Sequence, residues 1–141
     1  MAMTNVRSCF VIILVLVLAK QLTAQQRQRV DSLITEEEAI ALVQRAARGA
    51  GSTKLPGFGI EQSRPPAAPD YLFFDATWDN PDGSVVAGHY AVDRRTGDVW
   101  DSVVCQEFTS APLRRYQTIL RRRHRISTEE YRKLRRLGPM C

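Results

Sequence analysis

Two histidines, a run of three glutamates and two late cysteines are the residues of this 141-residue chain whose types could do chemistry. His89 could act as an acid or a base if a carboxylate held its ring, but Asp75 or Asp101 faces it only in particular strand registers. No activated serine or thiolate stands near it in the sequence. A lone histidine is more often packed or simply at the surface, so no catalytic residue is predicted. His124 sits among arginines, and two histidines without metal-ligand spacing argue against a zinc site. Glu36, Glu37 and Glu38 could be read as a metal or acid–base cluster. They also fall where a helix would begin, and capping explains them without a ligand. Gly57 and Gly59 lack the Lys-Ser/Thr pair and the strand-to-helix setting of a phosphate loop. The expectation is therefore a non-enzymatic protein with no cofactor and no metal, and a small-molecule substrate is not expected.

The cysteines depend on the compartment. Cys9–Ala19 is an unbroken apolar run of 11 residues, preceded by Arg7 and closed by Lys20. A membrane-spanning helix needs about 20 apolar residues, so the run matches the core of a secretory signal peptide. Cleavage is expected after Ala24, although Leu22 is large for the −3 position; an uncleaved signal anchor is the alternative. Cys9 lies before or within the apolar run, badly placed for a lipoprotein anchor. A secreted or periplasmic protein is expected, membrane-tethered if the anchor stays. Export would leave two cysteines, Cys105 and Cys141, and an oxidising compartment favours joining them. The enclosed loop of about 36 residues would stabilise by roughly 3–4 kcal/mol in the chain-entropy account.

Charge is divided along the chain. Residues 25–110 hold 8 basic and 13 acidic side chains; residues 111–141 hold 10 basic and 2 acidic. The two parts could attract each other, or the basic end could meet an acidic partner.

These residues need elements to position them. After a polar stretch over 25–33, Thr35 with Glu38 forms a capping box for a helix. Ala39, Ile40, Val43, Ala46 and Ala47 give it one apolar face, and Gly49 is its expected stop. A glycine- and proline-rich loop runs to Asp70, with a weak strand signal near Phe58–Gln62. Tyr71–Cys105 reads as three antiparallel strands joined at Asn80-Pro81-Asp82-Gly83 and Arg94-Arg95-Thr96-Gly97. Four-residue loops would pair Asp79 with Ser84 and Asp93 with Asp98. Leu72, Phe74, Ala76, Ala87, His89 and Trp100 then share one face, and Tyr71, Phe73, Tyr90, Val92 and Val99 the other. Both faces are apolar enough to need a cover. The first helix can supply one cover; the basic segment or a partner could supply the other.

Pro112 opens a second helix, with Leu113, Tyr116, Ile119 and Leu120 as its apolar stripe. Ser127 with Glu130 caps a third, which Gly138-Pro139 ends. The fold class expected is α+β: an N-terminal helix on a three- to four-stranded antiparallel sheet, then a basic helical segment. The boundaries are a signal peptide over 1–24, a flexible segment over 25–33, an α+β domain over 34–110 and the basic tail over 111–141.

The start Ile34-Thr35-Glu36-Glu37-Glu38-Ala39-Ile40, together with Tyr90-Ala91-Val92-Asp93-Arg94-Arg95-Thr96-Gly97-Asp98-Val99, resembles the PepSY-like domains of exported bacterial proteins. The likeness covers about Ile34 to Asp101. A similar helix and V-D-x-x-T-G-x-V hairpin occurs in cystatin-like immunity proteins of bacterial toxin systems. The PepSY-like resemblance implies an exported, non-enzymatic module that binds and sometimes inhibits peptidases, or acts in cell-surface sensing. The long proline-rich loop and the basic tail depart from that pattern. A protein or peptide partner is expected, with an anionic envelope surface as a further candidate. Export and the lack of a nucleic-acid motif argue against nucleic acid. The expected contact residues are Arg114, Arg115, Arg121, Arg122, Arg123 and Arg125, with Tyr90 and Trp100 from the sheet. Arg121, Arg122 and Arg123 are expected to be replaceable without harm to the fold.

Overall fold

The computed structural model describes residues 33–63, 68–83 and 85–138. The apolar run, the expected leader and Cys141 lie outside the described residues. Residues from Leu33 onward form one compact unit.

The first helix, α1 (Glu36–Ala50), starts as its sequence requires. Thr35 Oγ1 accepts from the Glu38 backbone N–H, and the Glu38 carboxylate accepts from the Thr35 N–H at 3.1 Å. The helix runs past Gly49 and stops at Gly51, whose φ of 85° lies in the left-handed region that closes helices. Gly49 lies within the helix, where Ser110 comes so close that an added Cβ would meet its side chain at 3.0 Å.

A short 3-10 turn (Ser52–Lys54) leads to the sheet: β1 (Gly59–Ser63), β2 (Tyr71–Trp78), β3 (Val85–Asp93), β4 (Val99–Asp101) and β5 (Gln106–Glu107). It is an antiparallel meander in sequence order. The α+β class is as expected, but there are five strands where three or four were. The weak signal before Gln62 is a true edge strand. The expected third strand breaks after Asp101, where Asp101 Oδ1 accepts from the N–H groups of Val103 and Val104 and turns the chain into β5.

Both hairpins keep the register that their loop lengths imply, Trp78 opposite Val85 and Val92 opposite Val99. The face assignment nevertheless needs correction. Thr77 pairs with Val86 but Ala76 pairs with Gly88, so Ala87 is an extra residue. This bulge reverses the alternation of the rest of β3 relative to β2. Phe74 and Ala76 therefore share a face with Tyr90, Val92 and Val99, and His89, Ala91 and Trp100 move to the other. Gly88 beside the bulge makes room for the Tyr90 ring, which a Cβ there would meet at 3.0 Å.

The corrected face packs on α1. Phe74, Ala76, Tyr90, Val92 and Val99 meet Ala39, Leu42, Val43, Ala46 and Ala47 in one cluster. Leu113 and Leu120 of α2 (Ala111–Arg123) complete it. Each large side chain buried here contributes about 1.5–3 kcal/mol. Across α1 and α2, the Arg45 guanidinium lies 3.7 Å from the centroid of the Tyr116 ring. Ile119, expected in the apolar stripe of α2, is instead exposed: it lies on the far side of the helix from Leu113, Gln117 and Leu120. The third helix, α3 (Thr128–Arg135), begins with Ser127 Oγ accepting from the Glu130 N–H. Among the described residues no helix is long and apolar enough to cross a membrane.

Candidate protein-binding surface

The β3–β4 turn, whose residues carry the family likeness, proves to be a structural joint. Asp93 accepts from the backbone N–H of Arg95 at 2.8 Å and holds its guanidinium through two further bonds, at 3.0 and 2.9 Å. Asp70 takes the same guanidinium at 3.1 Å. The Asp93 hydrogen bond is the main reason that Arg95 is held more firmly protonated than an ordinary arginine. Thr96 Oγ1 accepts from the Asp98 N–H, and Gly97 adopts a φ of 75° that favours glycine. The turn then docks inward. The Ile34 N–H donates to the Arg94 carbonyl at 2.7 Å, and Gln117 Nε2 donates to the Gly97 carbonyl at 3.0 Å. Thr96, Gly97 and Asp98 are buried. Much of this turn is therefore occupied by the protein itself.

The basic tail is in part bound too. Arg121 Nη1 donates to the Thr96 carbonyl at 3.1 Å and to Asp98 Oδ1 at 3.3 Å. The Tyr131 hydroxyl donates to the same oxygen, and Arg121 lies 4.2 Å from the Tyr131 ring centroid. Arg123 and His124 both reach the Glu38 carboxylate, at 2.8 and 2.7 Å. Arg135 pairs with Glu107. The attraction between the acidic and basic parts of the chain is thus realised internally. The expectation that Arg121 could be replaced without harm to the fold does not fit this setting, because its side chain is only 16% exposed against an Asp98 that is 4% exposed.

Burial pushes the Asp98 carboxyl up to about 6, against the opposing pull of Arg121. Burial also pushes the Glu38 carboxyl upward, but its Thr35, His124 and Arg123 partners outweigh that and hold it below the usual carboxylate range. The two act in opposite directions. Asp98 binds its proton more tightly folded than unfolded, so its contribution to stability rises as the pH falls from about 7 towards 4. A shift from 3.8 to about 6 corresponds to at most about 3 kcal/mol. Glu38 favours the fold above the ordinary carboxylate pKa and loses that contribution on further acidification. Stability should therefore peak near pH 5 in urea titrations, and Asp98→Asn should remove the rise between pH 7 and 5. A wild-type stability that is flat over that range would contradict this assignment.

The remaining expected contact residues fall in different places. Tyr90 is 2% exposed and stacks on Phe108 with ring centroids 5.0 Å apart, so it belongs to the core. Trp100 lies opposite Ala91 and Glu107 on the sheet face away from α1, half-buried. His89 and Asp75 meet on that face at 2.8 Å, because the bulge-shifted register sets them opposite each other. Both side chains are partly open to solvent. Arg114, Arg115, Arg122 and Arg125 are exposed, and among the described residues none of their guanidinium groups pairs with a carboxylate. The exposed aliphatic residues Val103, Val104 and Ile119 were not expected at a surface. Helical spacing could have placed Ile119 there, because it lies two residues beyond Gln117 and one before Leu120. Cys105, at a φ of 59°, closes the β4–β5 turn. Among the described residues no group of three His, Cys, Asp or Glu side chains could hold a metal ion.

No protein-family model matches the chain, and no curated protein matches it. Among solved structures, the chain is similar to a chain of a type VI secretion system effector–immunity complex from Pseudomonas protegens. The two are 26% identical with a TM-score of 0.61, over 75% of this chain and 89% of that one.

Proposed function

We propose that this protein is an immunity-type binding protein, which neutralises a toxic bacterial effector by forming a complex with it and catalyses nothing itself. The similarity to a chain of an effector–immunity complex, over most of both chains, carries this reading. The sequence likeness to cystatin-like immunity proteins supports the immunity side of such a pair. The α1 cap and the Asp93–Asp98 turn, which carry that likeness, build the scaffold, leaving other surfaces for the partner. The proposal includes export through the leader expected at Met1–Ala24, and a bridge from Cys105 to Cys141 formed after it.

Growth measures the claim. The protein and the product of the neighbouring gene are directed to the periplasm of a test bacterium, separately and together. The expected result is that the neighbour's product alone stops growth and that co-expression restores it. The His89–Asp75 pair supports the opposite assignment, in which this chain is the toxin. Growth arrest by this chain alone, relieved by His89→Ala, would overturn the immunity reading. Export and the bridge are checked on protein recovered from that compartment. Its intact mass should begin after Ala24, and Cys105 and Cys141 should resist thiol labelling until reduced; a mass retaining Cys9, or prompt labelling of both thiols, contradicts these two points.

A further inference from the structure

We infer that the outward face of α2 docks an acidic protein surface through a stripe formed by Arg115, Ile119 and Arg122. The inference rests on the proposed binding function and names the surface and the partner chemistry. The three residues stand at i, i+4 and i+7, one above another on a helix. The opposite face of α2 is spent: Leu113, Gln117 and Leu120 are buried, and Arg121 is bound to Asp98. At the centre of the outward stripe Ile119 is 52% exposed, with an unpaired arginine one turn before it and another one turn after.

Charge complementarity identifies the occupant. The fold neutralises Arg121, Arg123 and Arg135 with its own carboxylates, and Arg95 with Asp70 and Asp93. Those cations are explained by folding. Arg115 and Arg122 are not, and a helix that needed only solvation would be better served by pairs of mixed sign. Arginine presents a planar fork of donors matched to carboxylates. An aliphatic centre between two arginines has the composition of a protein interface, in which arginine is enriched and an apolar anchor excludes water. A polyanion would use the charges and leave Ile119 without a role, and a lipid surface calls for a broad apolar face where this helix exposes one large aliphatic side chain.

The stripe can be tested without the natural partner. The probe is an acidic peptide of alternating glutamate and leucine, titrated into the full chain labelled for NMR. The largest amide shifts should fall on Arg115, Ile119 and Arg122. Arg115→Gln with Arg122→Gln should weaken the apparent affinity at least tenfold, and Ile119→Ser at least threefold. Arg132→Gln with Arg136→Gln on α3, which removes equal charge, should change it less than twofold. Shifts spread evenly over both helices, or equal losses from the two double variants, would overturn the stripe and leave a diffuse basic surface. Vesicles of phosphatidylglycerol or inorganic polyphosphate that bind as tightly as the peptide, whether or not Ile119→Ser weakens them, would overturn the protein partner. Failure of the growth test with a positive peptide titration would reject the immunity reading and keep the surface; the reverse would reject only the surface.

Discussion

Arg121→Gln should destabilise the fold by about 3–5 kcal/mol at pH 8, whereas Arg122→Gln, one residue on, should cost less than about 0.5 kcal/mol. The two residues are alike in sequence and opposite in setting. Arg121 is the cationic partner of a buried carboxylate and also donates to the Thr96 carbonyl. Removing it leaves Asp98 charged and almost inaccessible to water, with only the Tyr131 hydroxyl as a side-chain donor. Breaking a buried pair from one side carries the desolvation penalty of the charge left behind. The pH dependence makes the cause visible. Burial already raises Asp98 to about 6, so near pH 5 the carboxyl is largely neutral and needs Arg121 less. The cost should shrink as the pH falls from 8 to 5. Adding Asp98→Asn to Arg121→Gln should recover at least half of the loss at pH 8. Chemical denaturation of the four proteins at the two pH values gives the answer; an equal cost for Arg121→Gln and Arg122→Gln would refute the assignment.

Tyr90→Ala should cost about 3–5 kcal/mol, enough to unfold much of a small domain. The ring fills the space left by Gly88, stacks on Phe108 and is 2% exposed. Desolvation raises its phenol pKa, and the Ser52 side chain partly offsets that rise. Tyr90→Phe keeps the ring and removes only the hydroxyl, so it should cost about 1 kcal/mol. Circular-dichroism melting of the two variants separates packing from the hydroxyl. Any binding lost in Tyr90→Ala should follow the unfolded fraction, and binding lost by a fully folded Tyr90→Ala would show that Tyr90 faces a partner.

These expectations show where the sequence could be read and where it could not. The capping box of Thr35 and Glu38 was legible because it is local: four residues contain both halves of the interaction. Hairpin register was legible because loop length sets it. The single extra residue at Ala87 was not, and it exchanged the faces of Tyr90 and His89 together. Gly88 is the one sequence mark there, and a glycine within a strand signals a close approach as readily as a bulge, so it did not set the faces. β5 is two residues long and depends on the turn that Asp101 organises, so it leaves no periodic signal. The charge division announced that the two parts would attract, but not which arginines would be used. Arg121 and Arg122 differ by about 100° around one helix, and only the packing of α2 against the β3–β4 turn decides that one is buried and the other free.

The most direct measurement is calorimetric titration of the purified protein with the purified product of its neighbouring gene, using an inactive variant of that product if it is toxic. The account predicts a one-to-one complex with a dissociation constant in the nanomolar range, roughly −12 kcal/mol. Arg115→Glu with Arg122→Glu should weaken it by at least a hundredfold while leaving the melting temperature unchanged. The absence of any complex between two folded proteins, together with no protection of growth, would contradict it.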